Sequence, residues 1–371
     1  MFFKLFAFFQ LFGCFFCFPA FSETLILQSS DQHSSYKKML NFLAVIEVLS
    51  SEFRSQYPEG KVALVINGDV SSYDRYSINS WDRGQLIYDT LSKLAKKYFV
   101  VYTFGNHDAF DWNDSQLFLD QMLLLKGGGV NLVVGNADFY PEYADLFDQQ
   151  ADLVNSSGKI IRFIGYTLPY GRQQNKLQKF QKRGPKIIEK IKGINMNIPL
   201  KAASKQSKVV SVVVSMHLGI SKAKWLVSDL SLSAGRKLKL LFAGHDHQQE
   251  MTRIKQVHII DSGAYFSFSA VLLDDRGEVL SKKFFDEGSQ KDRADLMDTN
   301  SLEAQLIKKA KGSLLNLTNL RKKRREKAPS PLRAGSVPIQ GARKQTRDYQ
   351  SPCVKSFRKK RAVTAIKGFT F

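Results

Sequence analysis

Cysteine is nearly missing from this chain, with three in 371 residues and two of them at positions 14 and 17. A disulfide framework, a thiolate metal site and a cysteine nucleophile in the body are thereby excluded. Histidine is scarce too, with six in all, so the position of each one carries weight. Acidic residues run out toward the C-terminal end. From Ser301 to Phe371 there are 19 basic and 3 acidic residues, a net +16, whereas the first 300 residues hold 36 basic and 31 acidic, a net +5. That split excludes a uniformly basic nucleic-acid-binding domain and describes a near-neutral body with a basic tail. With 43% apolar residues, the body can bury a core and is not a disordered chain.

A long apolar run occurs once, at the start. Ten of the 28 phenylalanines lie within Met1–Phe21, after a single Lys4, and Ala20-Phe21-Ser22 supplies small residues before Glu23. The pattern is that of a secretory signal peptide cut after Ser22. An uncleaved anchor or lipid attachment at Cys14 are the alternatives. The expected location is the periplasm or cell envelope, with secretion as the other export route. After cleavage only Cys353 remains, and an export signal without disulfides suits a bacterial envelope.

Further on, short apolar runs end repeatedly in Gly, Asn, Asp or His. Thr24–Gln28 leads into SSDQHS, Val62–Ile66 into NGDV, Phe99–Phe104 into GNHD and Leu132–Val134 into GNAD. Ile160–Ile164, Val209–Val214, Leu238–Phe242 and Val257–Ile260 follow the same rule. Such runs read as buried strands, and the stretches Tyr36–Phe53 and Arg83–Lys97 between them read as helices. The expected fold class is α/β, a layered β-sandwich flanked by helices. Ligand-bearing loops then belong at the carboxyl ends of the strands.

The polar residues at those ends share one chemistry. Five of the six histidines directly follow an apolar run, within a few residues of its end. Asp31-x-His33 and His245-x-His247 have spacing two, which in an extended segment aims both side chains to one side. Gly68 before Asp69 and Gly105 before Asn106 let the backbone turn sharply and bring a ligand close. Carboxylate, imidazole and amide without thiolate suit Zn, Mn or Fe. Five histidines and two aspartates exceed what one tetrahedral ion takes, but they serve two divalent ions bridged by a carboxylate.

The ordered blocks D-x-H, G-D, G-N-H-D, a lone His after a strand, and G-H-x-H resemble the calcineurin-like metallophosphoesterases. GNHDAFD, VVGNADF, FAGHDH and IIDSGAYFSFSAVLLDD are most similar to the catalytic domain of the 5′-nucleotidase branch, over roughly Leu25–Asp275. The resemblance implies one ion on Asp31, His33 and His247, a second on Asn106, His217 and His245, and Asp69 bridging both. It implies that His107 stabilises the transition state or protonates the leaving oxygen while a metal-bound hydroxide attacks phosphorus. The branch orients that histidine with an Asp three residues later, where this chain has Phe110. Asp111 and Asp108 are the two substitutes, with Asp111 preferred. The implied substrate is a small phosphate mono- or diester, a nucleotide among the candidates. However, the 96 residues after Asp275 do not look like the branch's second, base-stacking domain. Nucleotide specificity is therefore not inherited with the motifs.

Four segments are expected: a signal at 1–22, a catalytic domain at 23–290, an amphipathic helix at 291–326 and a basic tail at 327–371. Asn300 with Glu303 reads as a capping box opening that helix, and Leu302, Leu306, Ile307 and Ala310 recur at helical spacing. The tail cannot fold alone; its expected role is contact with an anionic membrane or polyanion. Two other readings remain: a catalytically weak binding protein on the same scaffold, and an anchored interaction protein whose tail is the active part. His258 matches no motif position and is expected to be structural.

Overall fold

Each of the eight short apolar runs from Thr24–Gln28 to Val257–Ile260 lies in or overlaps a strand, because β-branched residues fit a pleated surface buried on both faces. In chain order these are β1 Thr24–Ser30, β2 Lys61–Asn67, β3 Phe99–Thr103, β4 Asn131–Leu132, β5 Ala137–Phe139, β6 Gln150–Val154 and β7 Ile160–Tyr166. β8 Ile188–Ile191, β9 Val209–Met216, β10 Leu238–Ala243, β11 Gln249–Ile254, β12 Val257–Ser262, β13 Phe268–Leu273 and β14 Val279–Phe285 follow. The helices are α1 Tyr36–Gln56, α2 Gln85–Leu94, α3 Asn106–Phe110, α4 Ser115–Gly127, α5 Gln174–Phe180, α6 Ile220–Asp229 and α7 Leu302–Lys327. This computed structural model describes residues 23–33, 35–72, 84–110, 114–168, 174–182, 184–195, 201–203, 205–229, 236–264, 267–285, 298 and 300–327. The expected signal segment, Asp111 and the tail beyond 327 lie outside the described residues.

Two six-stranded sheets form the body, ordered β14-β13-β1-β2-β3-β4 and β11-β12-β10-β9-β7-β6, with β5 and β8 as a separate pair. In the first sheet β1 through β4 are parallel and β13 and β14 run antiparallel at one edge. In the second, β7, β9, β10 and β12 are parallel, with antiparallel β6 and β11 at its two edges. The mixed α/β architecture is the one expected. The strands missing from the sequence reading are mostly edge strands. β6 alternates exposed and buried residues, and such a strand lacks the continuous apolar run of a central one. β4 stops at Leu132, short of the run's end at Val134: Val133 still donates its amide to Tyr102 O at 2.9 Å but is paired in an isolated bridge with Asp148.

Along β7, β9, β10 and β12, alternate residues divide between two cores, as a period of two requires. Ile26, Val65, Val101, Phe163, Val213, Phe242, Ile260 and Val271 fill the space between the sheets. Val212, Val214, Met216, Leu241 and Ile259 pack instead with Ile220, Ala223 and Val227 of α6. α7 opens differently from the expected capping box. Ser301 is the cap, its hydroxyl accepting from the Ala304 amide at 3.1 Å. Glu303 does not reach back to it. The fully buried Glu303 accepts from Lys97 Nζ at 2.9 and 3.1 Å and from the Tyr98 hydroxyl. A desolvated carboxylate is held by its cation rather than spent on a cap. Leu306, Ile307 and Ala310 of the predicted stripe are buried. The chain divides into two compact units after Leu317, inside α7.

Phe163 is fully buried between the sheets, with its ring 5.6 Å from that of Phe99. Phe163→Ala should cost about 3–5 kcal/mol, read as a lowered urea midpoint at unchanged slope.

Candidate metal centre

The carboxyl ends of β1, β2, β3, β9 and β10 meet, and each contributes one polar turn. Asp31 and His33 follow β1, Asp69 follows β2, Asn106 and His107 open α3 after β3, His217 follows β9, and His245 and His247 follow β10. The turns interlock through the backbone. The Asp31 amide donates to Gly68 O at 3.1 Å and the His33 amide to Asp69 O at 2.9 Å. Across the sheets, the His245 amide donates to Asp31 Oδ2 at 2.8 Å. The His107 amide donates to Asp69 Oδ1 at 2.8 Å.

This closeness imposes strain. Six described non-glycine residues have positive φ, and five belong to the set: Asp31 at 49°, His33 at 46°, Asp69 at 51°, His245 at 81° and His247 at 59°. Such conformations cost roughly 1–3 kcal/mol each and persist where surrounding structure enforces them. The glycines serve the same crowding. A Cβ on Gly68 would run into the His217 ring, and one on Gly105 into the Asp69 carboxylate.

Three overlapping groups of donor atoms result, each within 4.8 Å: Asp31, His33 and His247; Asp69, His217 and His245; and His33, Asp69 and His107. His33 Nε2 and His247 Nε2 lie 2.9 Å apart, a separation that two lone pairs hold only with a proton or cation between them. His217 Nε2 is 3.0 Å from Asp69 Oδ2. Among the described residues the buried Asp31 Oδ1 and Asn106 Oδ1 have no hydrogen-bond partner, and the equally buried Asp69 Oδ2 and His217 Nε2 face each other. Orphaned donor atoms of a hard and borderline type fit divalent cations. His107 is half-buried, its side chain 35% exposed and Nε2 3.8 Å from Asp69 Oδ2, while His245 is the most exposed of the set.

Proton affinities follow from the packing. Burial holds the His33 imidazole down at about 4, the neutral form a metal requires. Burial opposes charge on His217 too, but the Asp69 carboxylate overrides it and raises the imidazole to about 10. Asp69 is itself lowered, because His217 outweighs burial. This point between Asp69 and His217 therefore favours a positive charge.

Asp108 faces away from this chemistry. Its carboxylate accepts from the Ser71 and Gly105 amides at 3.0 and 2.9 Å and from the Tyr88 hydroxyl at 3.0 Å. His258 lies apart on β12, with Nδ1 accepting from Lys282 at 2.6 Å.

Three supporting residues escaped the sequence reading. Asn67 O accepts from His217 Nδ1 at 3.0 Å, which turns Nε2 inward, and its amide donates to Met216 O at 2.8 Å. A polar residue closing an apolar strand was the available signal. Asp246, between the two histidines of G-H-D-H, accepts from the Ile220 amide at 2.9 Å. The buried Asp261 accepts from the Gly263 amide at 2.9 Å. Burial and the neighbouring Asp246 carboxyl push Asp261 up to about 9.

The family model described as calcineurin-like phosphoesterase matches residues 24–249. No curated protein matches the chain. Among solved structures, one from Staphylococcus aureus, assigned as a 5′-nucleotidase and complexed with alpha-ketoglutarate, is 17% identical with TM-score 0.48. That alignment covers 74% of this chain and 58% of the other. A phosphopantetheinyl hydrolase from Mycobacterium tuberculosis is 12% identical with TM-score 0.32, covering 66% and 91%. An archaeal phosphodiesterase is 12% identical with TM-score 0.29, covering 70% and 99%.

Asp261 supplies a pH test. Its pKa rises from 3.8 unfolded to about 9 folded, so the native state binds this proton more tightly. That stability is complete below the unfolded value and drains away as pH climbs toward the folded one. Asn donates the same hydrogen at every pH. The stability of Asp261→Asn relative to the parent should therefore rise from about pH 5 to about pH 8, read from melting temperatures, and a flat difference would contradict the assignment.

Proposed function

The chain belongs to the calcineurin-like phosphoesterases, and on that premise we propose that it is an exported hydrolase of phosphate mono- or diesters working with two divalent ions. The observation that supports this reading is Asp69. It is buried, fixed by the His107 amide through Oδ1, and shared between two of the three donor groups. Asp31, His33 and His247 would hold one ion, Asn106, His217 and His245 the other, and Asp69 both. Divalent cations held there would supply Lewis acidity toward the phosphoryl oxygens and would make water a better nucleophile near neutral pH.

The chain's own residues do the rest. Asp31 Oδ2 on the His245 amide keeps the first and second sheets' turns in register. Asn67 fixes the His217 tautomer from behind. His107, half-buried beside Asp69, would meet the ester and carry a proton to the leaving oxygen. Asp108, bound to Ser71, Gly105 and Tyr88, acts as a positioning residue that ties the β2 and β3 turns together. The carboxylate that would orient His107 is then Asp111. A 5′-nucleotidase-like preference and a periplasmic or envelope location complete the reading.

His107→Ala should lower turnover of a generic aryl phosphate by about 10²–10⁴-fold, the usual worth of general acid–base catalysis. Asp69→Asn should abolish it, and melting of both variants should stay cooperative. Chelation should remove activity and added Mn or Zn should restore it. Undiminished turnover in either variant would overturn the mechanism.

A further inference from the structure

The turn after β10 holds two left-handed histidines, His245 with φ 81° and His247 with φ 59°. Such conformations persist only where the surrounding structure imposes them. Two contacts of the turn's backbone contribute: the His245 amide donates to Asp31 Oδ2 at 2.8 Å, and the Gly244 amide to Leu218 O at 3.2 Å. The third anchor is a side chain. Asp246, between the two histidines, accepts through Oδ2 from the Ile220 amide at 2.9 Å.

Ile220 is the first residue of α6, and Gly219 before it occupies the place where a helix usually carries its own cap. Gly219 O accepts from the Lys222 and Ala223 amides at 3.0 and 3.1 Å, but a glycine has no side chain to satisfy any of the helix's first amides. Asp246 supplies an acceptor from another strand end, and a carboxylate at a helix N-terminus is favoured by the helix dipole. The approach is close: a Cβ on Gly219 would stand 2.7 Å from Asp246 Oδ2. The other oxygen, Oδ1, is buried, so this is not a solvated surface group. One turn along α6, Lys224 pairs with Glu250 of β11. The helix is thereby fastened both to the turn and to the strand that follows it.

The contact joins the two turns that serve one ion. In the reading above, the second ion takes His217 from the turn after β9 and His245 from the turn after β10, with Asn106 and Asp69 from elsewhere. The two imidazole rings lie 5.2 Å apart. Gly219 stands two residues after His217, and Asp246 directly follows His245. The first ion takes Asp31 and His33 from one turn and His247 from another. Those two turns are joined through Asp31 Oδ2 and the His245 amide, without α6. We infer that Asp246 is a positioning residue for the second ion alone, setting the separation of His217 and His245 by docking the turn after β10 onto the first amide of α6. The inference rests on the two-ion reading and adds to it the residue that decides how tightly one ion is held.

The test titrates the full chain, stripped of metal, with Co²⁺, followed by calorimetry and by the visible absorption of the bound ion. Cooperative melting of each variant is checked first. The parent should take up two ions per chain. Asp246→Ala should hold one as the parent does and the other about 10–100-fold more weakly, the usual effect of removing a group that orients a metal ligand. Gly219→Ala leaves Asp246 in place but displaces its carboxylate, and Gly219 is not among the glycines with positive φ. It should reproduce the loss, and it carries the test should Asp246→Ala fail to fold. Asp246→Asn keeps an acceptor oxygen and should hold both ions as the parent does. Equal weakening of both ions, undiminished affinity in the Ala variants, or an Asn variant as weak as Asp246→Ala would overturn the inference. A parent that takes up fewer than two ions would instead overturn the two-ion reading beneath it.

Discussion

Two buried carboxylates organise this molecule. Asp31 and Asp69 are almost wholly removed from water, a position that an anion tolerates only when paired or coordinated. Each spends one oxygen on a backbone amide and turns the other, without a hydrogen bond, toward imidazoles. That division of labour demands backbone turns tight enough to bring five strand ends together. The left-handed conformations of Asp31, His33, Asp69, His245 and His247 are its consequence. Apolar packing between the sheets and against α6 holds the strands rigidly enough to sustain that strain. Fold and site are therefore one constraint: apolar strands supply the rigidity, and their ends hold the polar groups that rigidity makes tolerable.

The central architecture was legible in the sequence because parallel strands buried on both faces must be continuously apolar. All eight of those runs became strands, and the polar residues closing five of them converge on one locus. Edge strands such as β6 and β11 were less legible, since one face of each is polar and exposed. The start of α7 was misread for a tertiary reason. Asn300 and Glu303 have capping-box spacing, yet Lys97 and Tyr98 lie 200 residues upstream and take the carboxylate first. Asn67 and Asp261 were hidden in the same way. Both stand where an apolar run ends, and their roles depend on His217 and Asp246, which follow other strands.

Charge shows how averaging conceals function. The first 300 residues sum to +5, which reads as a nearly balanced body. Residues 167–208 alone contribute +10, so the remainder of that stretch carries 25 basic and 30 acidic residues, a net −5. A mildly acidic scaffold with one cationic platform has a direction that a neutral scaffold lacks. Its field is strongest where the exposed Lys176, Lys179, Lys182, Lys186 and Lys190 form no ion pair among the described residues, and it falls off within about 8–10 Å at physiological salt. An anion reaching the protein is then drawn to that segment, whose Phe180 packs on Phe110 at the end of α3, rather than to the surface at large. The cations of the platform are permanent, whereas those of the metal centre depend on metal supply. Under the hydrolase reading proposed above, loss of metal should silence hydrolysis while leaving this fixed charge in place.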